Sequence, residues 1–185
     1  YNSVKDILVP SACSALYRKK MLDEIGAFDV DFFAYCEDTD LGLRARLAGW
    51  QAVSVPESVV YHHYSGTGGE YSETKAFLVE RNHIWVVLKN FPLLWICQLP
   101  FYIVLRYVFQ FYGIASGTGS ASKFKKSHSV MDIILTIVKA YISAFKALPL
   151  IIKKRKAIKK KISYKQYKNM LNENGISARE LALQD

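Results

Sequence analysis

Hydrophobic and polar residues change their spacing repeatedly along the first ninety residues. Stretches with apolar residues three or four positions apart predict helices, and stretches in which apolar and polar residues alternate predict strands. Gly26 and Gly49 end two helical stretches, and Pro56 ends an alternating one. The predicted order is an extended segment over 7–18, helices over 19–25 and 37–48, strands over 51–55 and 59–63, a glycine-rich loop over 65–69 and a helix over 72–90.

The next segment is strongly apolar. Residues 91–115 carry one formal charge, Arg106, and are long enough to cross a bilayer. Pro92 and Pro100 interrupt this segment, and a polar stripe recurs at every fourth position through Gln98, Tyr102, Arg106 and Gln110. Over 130–152 the polar residues also share one helical face: Asp132, Thr136, Lys139, Ser143 and Lys146. One polar face on an otherwise apolar helix is typical of a helix that lies in the plane of a membrane interface.

The loop between these two apolar segments bears on their topology. A transmembrane hairpin would place residues 116–129 on the far side of the membrane. That loop carries Lys123, Lys125 and Lys126 and no acidic residue, which the positive-inside rule disfavours. We therefore predict that these helices lie in the membrane interface rather than forming a transmembrane hairpin. Packing of the same helices on the globular region or on another subunit is the alternative.

Charge is unevenly distributed. Residues 1–90 carry nine Lys and Arg against twelve Asp and Glu, residues 91–152 carry six against one, and residues 153–185 carry ten against three. The basic cluster of the last segment consists of Lys153, Lys154, Arg155, Lys156, Lys159, Lys160 and Lys161. Behind apolar helices, such a cluster indicates an anionic membrane surface as partner. Nucleic acid is the rival partner, and the apolar neighbouring segments argue against it.

The three cysteines do not form a motif. Cys13, Cys36 and Cys97 are far apart, and no two of them have the spacing of a zinc-binding or redox pair. A disulfide framework is therefore not expected, and a reducing compartment is the simpler interpretation. The chain begins with Tyr1 and has no signal-peptide pattern, so we expect further residues to precede it.

An acidic stretch opens the predicted helix over 37–48. Glu37, Asp38 and Asp40 fall within four positions, directly after an aromatic run. The dipole at a helix N-terminus favours the ionised form of a carboxyl group, which suits a proton acceptor. An ordinary structural role is equally open, because acids are common in first turns and Asp40 can pair with Arg44 one turn later.

Short motifs occur in a fixed order around this stretch. They are Ile25-Gly26-Ala27-Phe28-Asp29, Phe32-Phe33, Glu37-Asp38-Thr39-Asp40-Leu41, Arg44, Ala48-Gly49-Trp50, Val55-Pro56, Val60-Tyr61-His62 and Arg81-Asn82. Each motif is weak alone, but the ordered set resembles the C-terminal half of a family 2 glycosyltransferase, and most of all the bacterial rhamnosyltransferase-like branch. The resemblance implies an α/β fold class, namely the C-terminal part of a GT-A nucleotide-diphospho-sugar transferase domain, here followed by amphipathic membrane-associated α-helices.

The resemblance also implies a chemistry. Such enzymes transfer a sugar from a nucleoside-diphosphate donor to an acceptor hydroxyl with inversion at the anomeric carbon. By similarity, Asp38 is the general base that takes the hydroxyl proton, with Glu37 beside it as a second catalytic carboxylate. Asp40, Arg44 and Phe33 are the implied acceptor-binding residues. His62 is the implied ligand of a divalent metal, magnesium or manganese, which neutralises the leaving diphosphate.

One part of the family pattern is not found. The donor-binding half ends in an Asp-x-Asp after an apolar strand, and neither Asp29-Val30-Asp31 nor Asp38-Thr39-Asp40 has that context. We therefore expect residues 1–90 to be the acceptor-side half of the catalytic domain, without the donor-binding half. Residues 91–152 are then the helices for membrane association, and residues 153–185 form a basic helical tail.

Two hypotheses of function follow. In the first, the chain is part of an enzyme at the cytoplasmic face of the bacterial inner membrane that extends a lipid-linked glycan for a cell-surface polysaccharide. In the second, it is a non-catalytic membrane-surface interaction module or an inactive fragment. The sequence does not indicate the donor sugar, the linkage or the oligomeric state.

Overall fold

The computed structural model describes residues 3–63, 71–175 and 177–183, and this part of the chain is mostly helical. A two-stranded sheet is formed by β1 (Lys5–Asp6) and β2 (Val53–Ser54). The helices of the described part are α1 (Lys19–Ile25), α2 (Glu37–Leu47), α3 (Glu73–Asn90), α4 (Leu93–Ser116), α5 (Gly119–Ser127), α6 (Val130–Lys146), α7 (Leu148–Ala157), α8 (Tyr164–Glu173) and α9 (Ala178–Leu183). The expected α/β class is thus observed in a limited form, as a mostly helical chain with a small sheet.

The sheet joins the start of the chain to the segment after α2. The two strands pair antiparallel, with Lys5 opposite Ser54 and Asp6 opposite Val53. The strand predicted over 51–55 is therefore confirmed at its centre. Because the strands are only two residues long, the sheet contributes little to the core and serves to anchor the extended segment that follows β1.

The second predicted strand, over 59–63, is wrong. These residues have no regular secondary structure, and Val59, Val60 and Tyr61 are 67%, 51% and 97% exposed. A strand needs a neighbour to pair its backbone groups, and no described strand lies beside this segment. The predicted loop over 65–69 lies outside the described residues.

The first two helices follow the sequence prediction closely. Gly26 ends α1 with a φ of +82°, a conformation that glycine adopts without steric cost. The helix predicted over 37–48 is α2, which carries its acids in the first turn and Arg44 and Arg46 in the last. This distribution complements the helix dipole. Arg46 also binds the carboxylate of Asp6 through two hydrogen bonds of 2.9 and 2.6 Å, which fixes β1 to α2.

The core is organised around α3, which packs against α2, α6 and α7. Ser72 caps this helix, because its side chain accepts a hydrogen bond from the Lys75 amide at 3.2 Å. Phe32 and Trp85 meet edge to face with ring centroids 5.7 Å apart. All three segments of the sequence, 1–90, 91–152 and 153–185, contribute to this core. Its buried members are Phe32, Leu43, Leu47, Ile84, Trp85, Val86, Ala144, Ile151, Tyr167 and Leu171.

The apolar segment after α3 forms one long helix. Pro92 lies at the N-cap of α4, where a proline is well tolerated, whereas Pro100 lies inside the helix without ending it. The expectation that Pro100 interrupts the segment is therefore wrong. Helix α4 has a mean hydropathy of 1.3 over its most apolar window, of which 6% is buried. By length and composition alone it could cross a bilayer.

The helix predicted over 130–152 is broken in two. Helices α6 and α7 meet at Ala147 with a bend of 55°. Pro149 has no amide hydrogen for a continued helix, which explains the break. Helix α6 begins with a capping box in which Ser129 and Asp132 each bind the other's backbone amide, at 3.2 and 3.1 Å.

Helix α6 turns small side chains toward α3 and apolar side chains outward. Thr136, Ala140 and Ala144 are buried, so Thr136, a member of the predicted polar face, faces the protein interior. The exposed apolar residues of α4 and α6, here called the outer apolar surface, are Leu93, Leu94, Phe101, Val104, Val108, Phe111, Tyr112, Val130, Met131, Ile134, Leu135, Val138, Ile142 and Phe145.

The basic tail returns to the first helices. Ile151 of α7 and Tyr167 of α8 are buried in the core, and the Lys161 amide donates to the Leu47 carbonyl at 2.8 Å. Ser163 caps α8, because its side chain accepts a hydrogen bond from the Gln166 amide at 3.3 Å. The tail is therefore folded against α2.

Candidate active site

A strained loop precedes the acidic stretch. Phe33, Tyr35 and Cys36 have φ values of +64°, +68° and +64°, although none of them is glycine. Each such residue costs roughly 1–3 kcal/mol and persists only when its surroundings hold it in place. This loop, called loop 33–36 below, leads directly into α2 and so sets the direction from which Glu37 and Asp38 enter the helix.

Asp38 is held by backbone donors on both oxygens. Oδ1 accepts from the Thr39 amide at 2.7 Å, and Oδ2 accepts from the Ala12 amide at 3.2 Å. The side chain is half-buried. Each carboxylate oxygen can accept two hydrogen bonds, so Oδ2 keeps the capacity for another donor. The carboxylate is thus oriented and can still receive a proton.

A glycine brings the Ala12 amide to this position. A Cβ added to Gly42 would lie 2.4 Å from Cγ1 of Val9, closer than any side chain could stand. The extended segment after β1 therefore packs directly on α2, and a 3-10 turn at Ala12–Ser14 follows. This close approach places a backbone donor from one end of the segment against Asp38.

Two buried polar atoms beside Asp38 have no partner. The hydroxyl of Tyr17 and Oε2 of Glu37 are inaccessible to solvent and make no hydrogen bond within the described part of the chain. Burial and the negative charges of Asp38 and Glu37 raise the pKa of Tyr17, so its hydroxyl remains a donor. Buried groups without partners are rare in native proteins, and a polar ligand would satisfy both.

Cys36 is not a nucleophile in this setting. Burial, reinforced by the charges of Asp38 and Glu37, raises the pKa of its thiol to about 12. The neutral thiol is the unreactive form. Cys13 and Cys97 are exposed, and none of the three cysteines forms a disulfide.

Asp40 has different surroundings from Asp38. It is completely buried, and its Oδ2 accepts from Arg44 Nε at 2.8 Å and from Lys89 Nζ at 2.9 Å. Its Oδ1 accepts from Asn90 Nδ2 at 2.9 Å. These contacts join α2 to α3. The predicted contact between Asp40 and an acceptor stays a prediction, and the geometry gives the residue a structural task.

Arg44 is also occupied within the protein. Besides Asp40, its guanidinium donates to the carbonyls of Ile25 at 2.8 Å and Ala27 at 2.7 Å. These bonds hold the turn after α1 against α2. An acceptor contact of Arg44 likewise stays a prediction.

Phe33 projects into solvent from loop 33–36. Its side chain is 83% exposed, although the backbone around it is firmly held. An exposed aromatic ring near a carboxylate offers an apolar face on which a sugar ring can lie. The position is compatible with the predicted acceptor contact.

The described residues do not form a metal site. His62 is exposed, and no group of three or more His, Cys, Asp or Glu that could hold a metal occurs in the described part of the chain. Magnesium and manganese prefer several oxygen ligands at once. His62 alone therefore does not fit a divalent cation.

The basic cluster divides into two groups. Lys154 forms ion pairs with Asp29 and Asp31, Arg155 donates to the Leu88 carbonyl at 3.0 Å, and Lys161 lies 2.5 Å from a carboxylate oxygen of Glu24. These three predicted lipid-binding residues thus hold the tail to the rest of the protein. Lys153, Lys156, Lys159 and Lys160 are exposed, and the Lys161 side chain is also 60% exposed despite its ion pair.

A cleft of about 450 Å³ lies between α3, α4, α5 and α6. Polar residues such as Glu80, His83 and Arg106 line it together with apolar ones. Lys75, another lining residue, has its ammonium 5.8 Å from the ring centroid of Tyr35. The cleft therefore adjoins loop 33–36 and opens beside the outer apolar surface.

Sequence reasoning missed Tyr17 and gave Asn82 no role of its own. Tyr17 lies in a segment without a motif, and only the folded chain brings it to Glu37 and Asp38. Asn82 is completely buried and donates to loop 33–36. Its place in the Arg81-Asn82 motif was the available signal for Asn82.

Comparison with known proteins shows what the segment around this site is similar to. Residues 3–87 match the family described as glycosyltransferase like family 2. Two curated relatives, from Mycobacterium tuberculosis strains CDC 1551 / Oshkosh and ATCC 25618 / H37Rv, are each an N-acetylglucosaminyl-diphospho-decaprenol L-rhamnosyltransferase. Each is 34% identical over 84 residues, which are 40% of this chain and 27% of the relative. No solved structure gives a significant match.

The matched range contains loop 33–36, both catalytic candidates and Arg44, the buried partner of Asp40 on α2. The chain spans only about a quarter of the length of the curated relatives it matches, 27%. Residues 3–87 are accordingly similar to glycosyltransferase like family 2 and, within it, to rhamnosyltransferases.

Proposed function

We propose that the protein is an inverting glycosyltransferase in which Asp38 is the general base. It transfers a sugar from a nucleoside-diphosphate donor to a hydroxyl of a lipid-linked glycan. The observation that carries this proposal is the Asp38 carboxylate, which is fixed by two backbone amides and keeps one acceptor position on Oδ2. A base with this geometry can meet an incoming hydroxyl without rearrangement.

The reaction is a single displacement. The acceptor oxygen forms a bond to the anomeric carbon, and the bond from that carbon to the diphosphate oxygen breaks with its electron pair. The hydroxyl proton passes to Asp38 as the new bond forms. An alcohol is a weak nucleophile until it loses this proton, so the carboxylate contributes most at the transition state.

Neighbouring residues bind the acceptor in this proposal. The Tyr17 hydroxyl and Glu37 Oε2, both buried without a partner, receive hydroxyl groups of the acceptor sugar. The exposed ring of Phe33 covers one face of that sugar. Asp40 and Arg44 support the pocket from behind through their bonds to α3 and to the turn after α1.

No step of this mechanism involves a metal ion. A divalent cation would neutralise charge on the leaving diphosphate. The described residues offer only His62 for it, and one exposed imidazole is not a site. Metal dependence therefore stays a prediction that rests on the family resemblance.

A lipid-linked acceptor suits the surface of the molecule. The matched relatives act, by their names, on a diphospho-decaprenol-linked sugar. Here the outer apolar surface lies on α4 and α6, and exposed Lys153, Lys156, Lys159 and Lys160 follow on the tail. Together they fit a peripheral or monotopic protein on the cytoplasmic face of the bacterial inner membrane.

An in-plane position of α4 is favoured by an ion pair. Arg106, near the middle of α4, is bonded to Glu80 of α3 and is 6% exposed. A spanning α4 would carry this pair, with part of α3, toward the centre of the bilayer. Because charged groups there are costly, a position along the interface is the better solution.

The test compares Asp38→Asn with the wild type in the intact enzyme. Sugar transfer is measured with a panel of nucleoside-diphosphate sugars and a lipid-diphosphate-linked acceptor. We expect kcat to fall by roughly 10²–10⁴-fold while the donor KM changes by less than about 3-fold. Asp23→Asn, which removes an exposed carboxylate on α1, is the matched control and should leave kcat unchanged.

Unchanged turnover in Asp38→Asn would refute the role of Asp38. Failure of the wild-type enzyme to bind any nucleoside-diphosphate sugar would favour the non-catalytic membrane module.

A further inference from the structure

Loop 33–36 does not keep its conformation by its own preference. Phe33, Tyr35 and Cys36 lie in a region of backbone space that residues with a Cβ rarely adopt. The carbonyl groups of such a loop are also outside the regular hydrogen bonding of a helix or sheet, so they need other hydrogen-bond donors. Contacts from elsewhere must supply them.

One side chain of α3 supplies these donors. Nδ2 of Asn82 donates to the carbonyls of Phe32 at 3.0 Å, Ala34 at 2.8 Å and Tyr35 at 2.7 Å. Asn82 is completely buried, and its partners lie 47 to 50 positions earlier in the chain. The two N–H groups of one amide thus contact two carbonyls of the loop and the Phe32 carbonyl that precedes it.

Arg81 fixes the orientation of that amide. Its Nε donates to Asn82 Oδ1 at 2.9 Å, which leaves the amide nitrogen turned toward the loop. Its Nη2 donates to the Phe32 carbonyl at 3.0 Å, and its guanidinium lies 4.3 Å from the centroid of the Trp85 ring. Both side chains therefore act on the same stretch of backbone.

We propose that Asn82, oriented by Arg81, is a positioning residue that holds loop 33–36 in the conformation that presents Phe33 and Asp38 to the acceptor. This role rests on the proposed function. Asn82 does not reach the reacting atoms and acts through the backbone of the loop. Without it, the loop relaxes to more favourable backbone angles, and the entry of α2 moves with it.

A neighbouring residue allows a matched comparison. Asn90 is on the same helix, is 4% exposed, and donates to Asp40 at 2.9 Å and to the Val86 carbonyl at 3.2 Å. It makes no bond to loop 33–36. A purely structural role of buried amides predicts the same defects in Asn82 and Asn90 variants, whereas the positioning role predicts a difference.

The first readout is the accessibility of Cys36, which needs no sugar transfer. The protein is alkylated with iodoacetamide, digested with trypsin and analysed by mass spectrometry. Cleavage after Lys20 and Arg44 gives a peptide with Cys36 as its only cysteine, and exposed Cys13 in the peptide 6–18 is the internal reference. In Asn82→Asp, which keeps the volume but removes the donors, alkylation of Cys36 relative to Cys13 should rise at least about 10-fold.

The second readout is the division between kcat and KM. In Asn82→Asp, kcat should fall about 100-fold with the donor KM within about 3-fold, because the base is displaced while donor binding is not. Arg81→Lys keeps the charge and loses the Nε donor, so it should show a smaller change in the same direction. It serves as the second variant if Asn82→Asp does not fold. Asn90→Ala should lower the melting temperature and leave Cys36 protected, and its kcat should fall far less than that of Asn82→Asp.

Protected Cys36 in the Asn82 and Arg81 variants would overturn the proposal, as would an equal loss of kcat in Asn90→Ala. The failure of the proposed function is separate. A wild-type enzyme without transfer activity refutes that function, and alkylation still decides whether Asn82 holds the loop.

Discussion

Asp38 and Asp40 lie two positions apart on α2 and meet opposite surroundings. The oxygens of Asp38 accept hydrogen bonds from backbone amides and can accept one more. The oxygens of Asp40 accept hydrogen bonds from Arg44, Lys89 and Asn90, and this side chain is completely buried. On a helix, residues two positions apart point in nearly opposite directions, so one acid faces the pocket and the other faces the core. In the proposed mechanism Asp38 takes the proton, whereas the contacts of Asp40 join α2 to α3.

Exchanging each acid for its amide separates these tasks. We expect Asp40→Asn to destabilise the fold by about 3 kcal/mol or more, because it leaves the buried cations of Arg44 and Lys89 short of a counter-charge. The melting temperature should then fall by roughly 6–12 °C. Asp38→Asn should change it by less than about 4 °C, because its contacts are backbone amides at the protein surface. Calorimetry on both variants checks the difference, and equal losses of stability would contradict it.

At the residue scale, the sequence predicts site residues that belong to a motif, and it does not predict contacts between residues that are distant in the chain. The order of motifs indicated Asp38 and Glu37, and the position of both at a helix start is confirmed. Tyr17 joins the same site through contacts across a long stretch of chain, which no local pattern encodes, and the Arg81-Asn82 motif did not show that Asn82 bonds loop 33–36. The positive φ of Phe33 could not be predicted either, because its sequence carries no glycine signal.

At the element scale, ion pairs hold α7 against the turn before loop 33–36. The Asp29 carboxylate forms ion pairs with Lys89 of α3, whose Nζ lies 2.7 Å from Oδ2, and with Lys154 of α7. Burial alone would raise the pKa of the Asp29 carboxyl, but hydrogen bonds from Lys154 and Lys89 outweigh it and lower the pKa from its usual 3.8 to about 2. The folded state therefore binds this proton less tightly than the unfolded chain does.

This difference predicts how stability depends on pH. A lowered pKa in the folded state contributes stability that is present above about pH 4 and is lost as the pH falls toward 2. Asp29→Asn should lower the urea midpoint at pH 7, and the gap to the wild type should close between about pH 4 and pH 2. Asp23→Asn removes an exposed pair with Lys19 and should have little effect at any pH. A gap that stays constant with pH would contradict this account.

Helices with clear end signals were predictable, and elements defined by partners were not. Gly26 and Gly49 indicated helix ends that the structure confirms, with α1 ending at Ile25 and α2 at Leu47. The strand predicted over 59–63 is not formed. Alternation of apolar and polar residues indicates that a segment has two faces, but it does not show that a neighbouring strand is present to pair with it. The helix over 130–152 failed because an apolar segment with one polar face does not reveal a bend. Pro149 removes one helical hydrogen bond and its ring crowds the preceding turn, and here the helix breaks at Ala147.

For the molecule as a whole, the three sequence segments are one packed unit with a large apolar exterior. Ala144, Ile151 and Tyr167 from the later segments complete the core around Phe32 and Trp85. The outer apolar surface is far more extensive than the scattered apolar residues of an ordinary soluble protein, and such surfaces mark interaction sites. Its place beside a basic tail is the basis for the proposed membrane contact.

The membrane contact has an apolar part and an electrostatic part, and vesicle binding can separate them. With vesicles of phosphatidylglycerol and phosphatidylcholine, Phe101→Asp or Val108→Asp should weaken binding at least about 10-fold at any salt concentration, since each removes an exposed apolar side chain that the bilayer would bury. The triple change Lys153→Gln/Lys156→Gln/Lys160→Gln should weaken binding roughly 100-fold at low salt. At high salt this second effect should largely disappear, because ions screen exposed charges.

Leu16→Asp is the control for the apolar part, since Leu16 is fully exposed but lies in the first segment, away from α4 and α6 in the chain. Binding of this variant should match the wild type if α4 enters the interface. Equal losses in Leu16→Asp and Phe101→Asp would show that added negative charge alone repels the protein from the anionic surface. Co-sedimentation at two salt concentrations therefore distinguishes an inserted helix face from a purely electrostatic attachment.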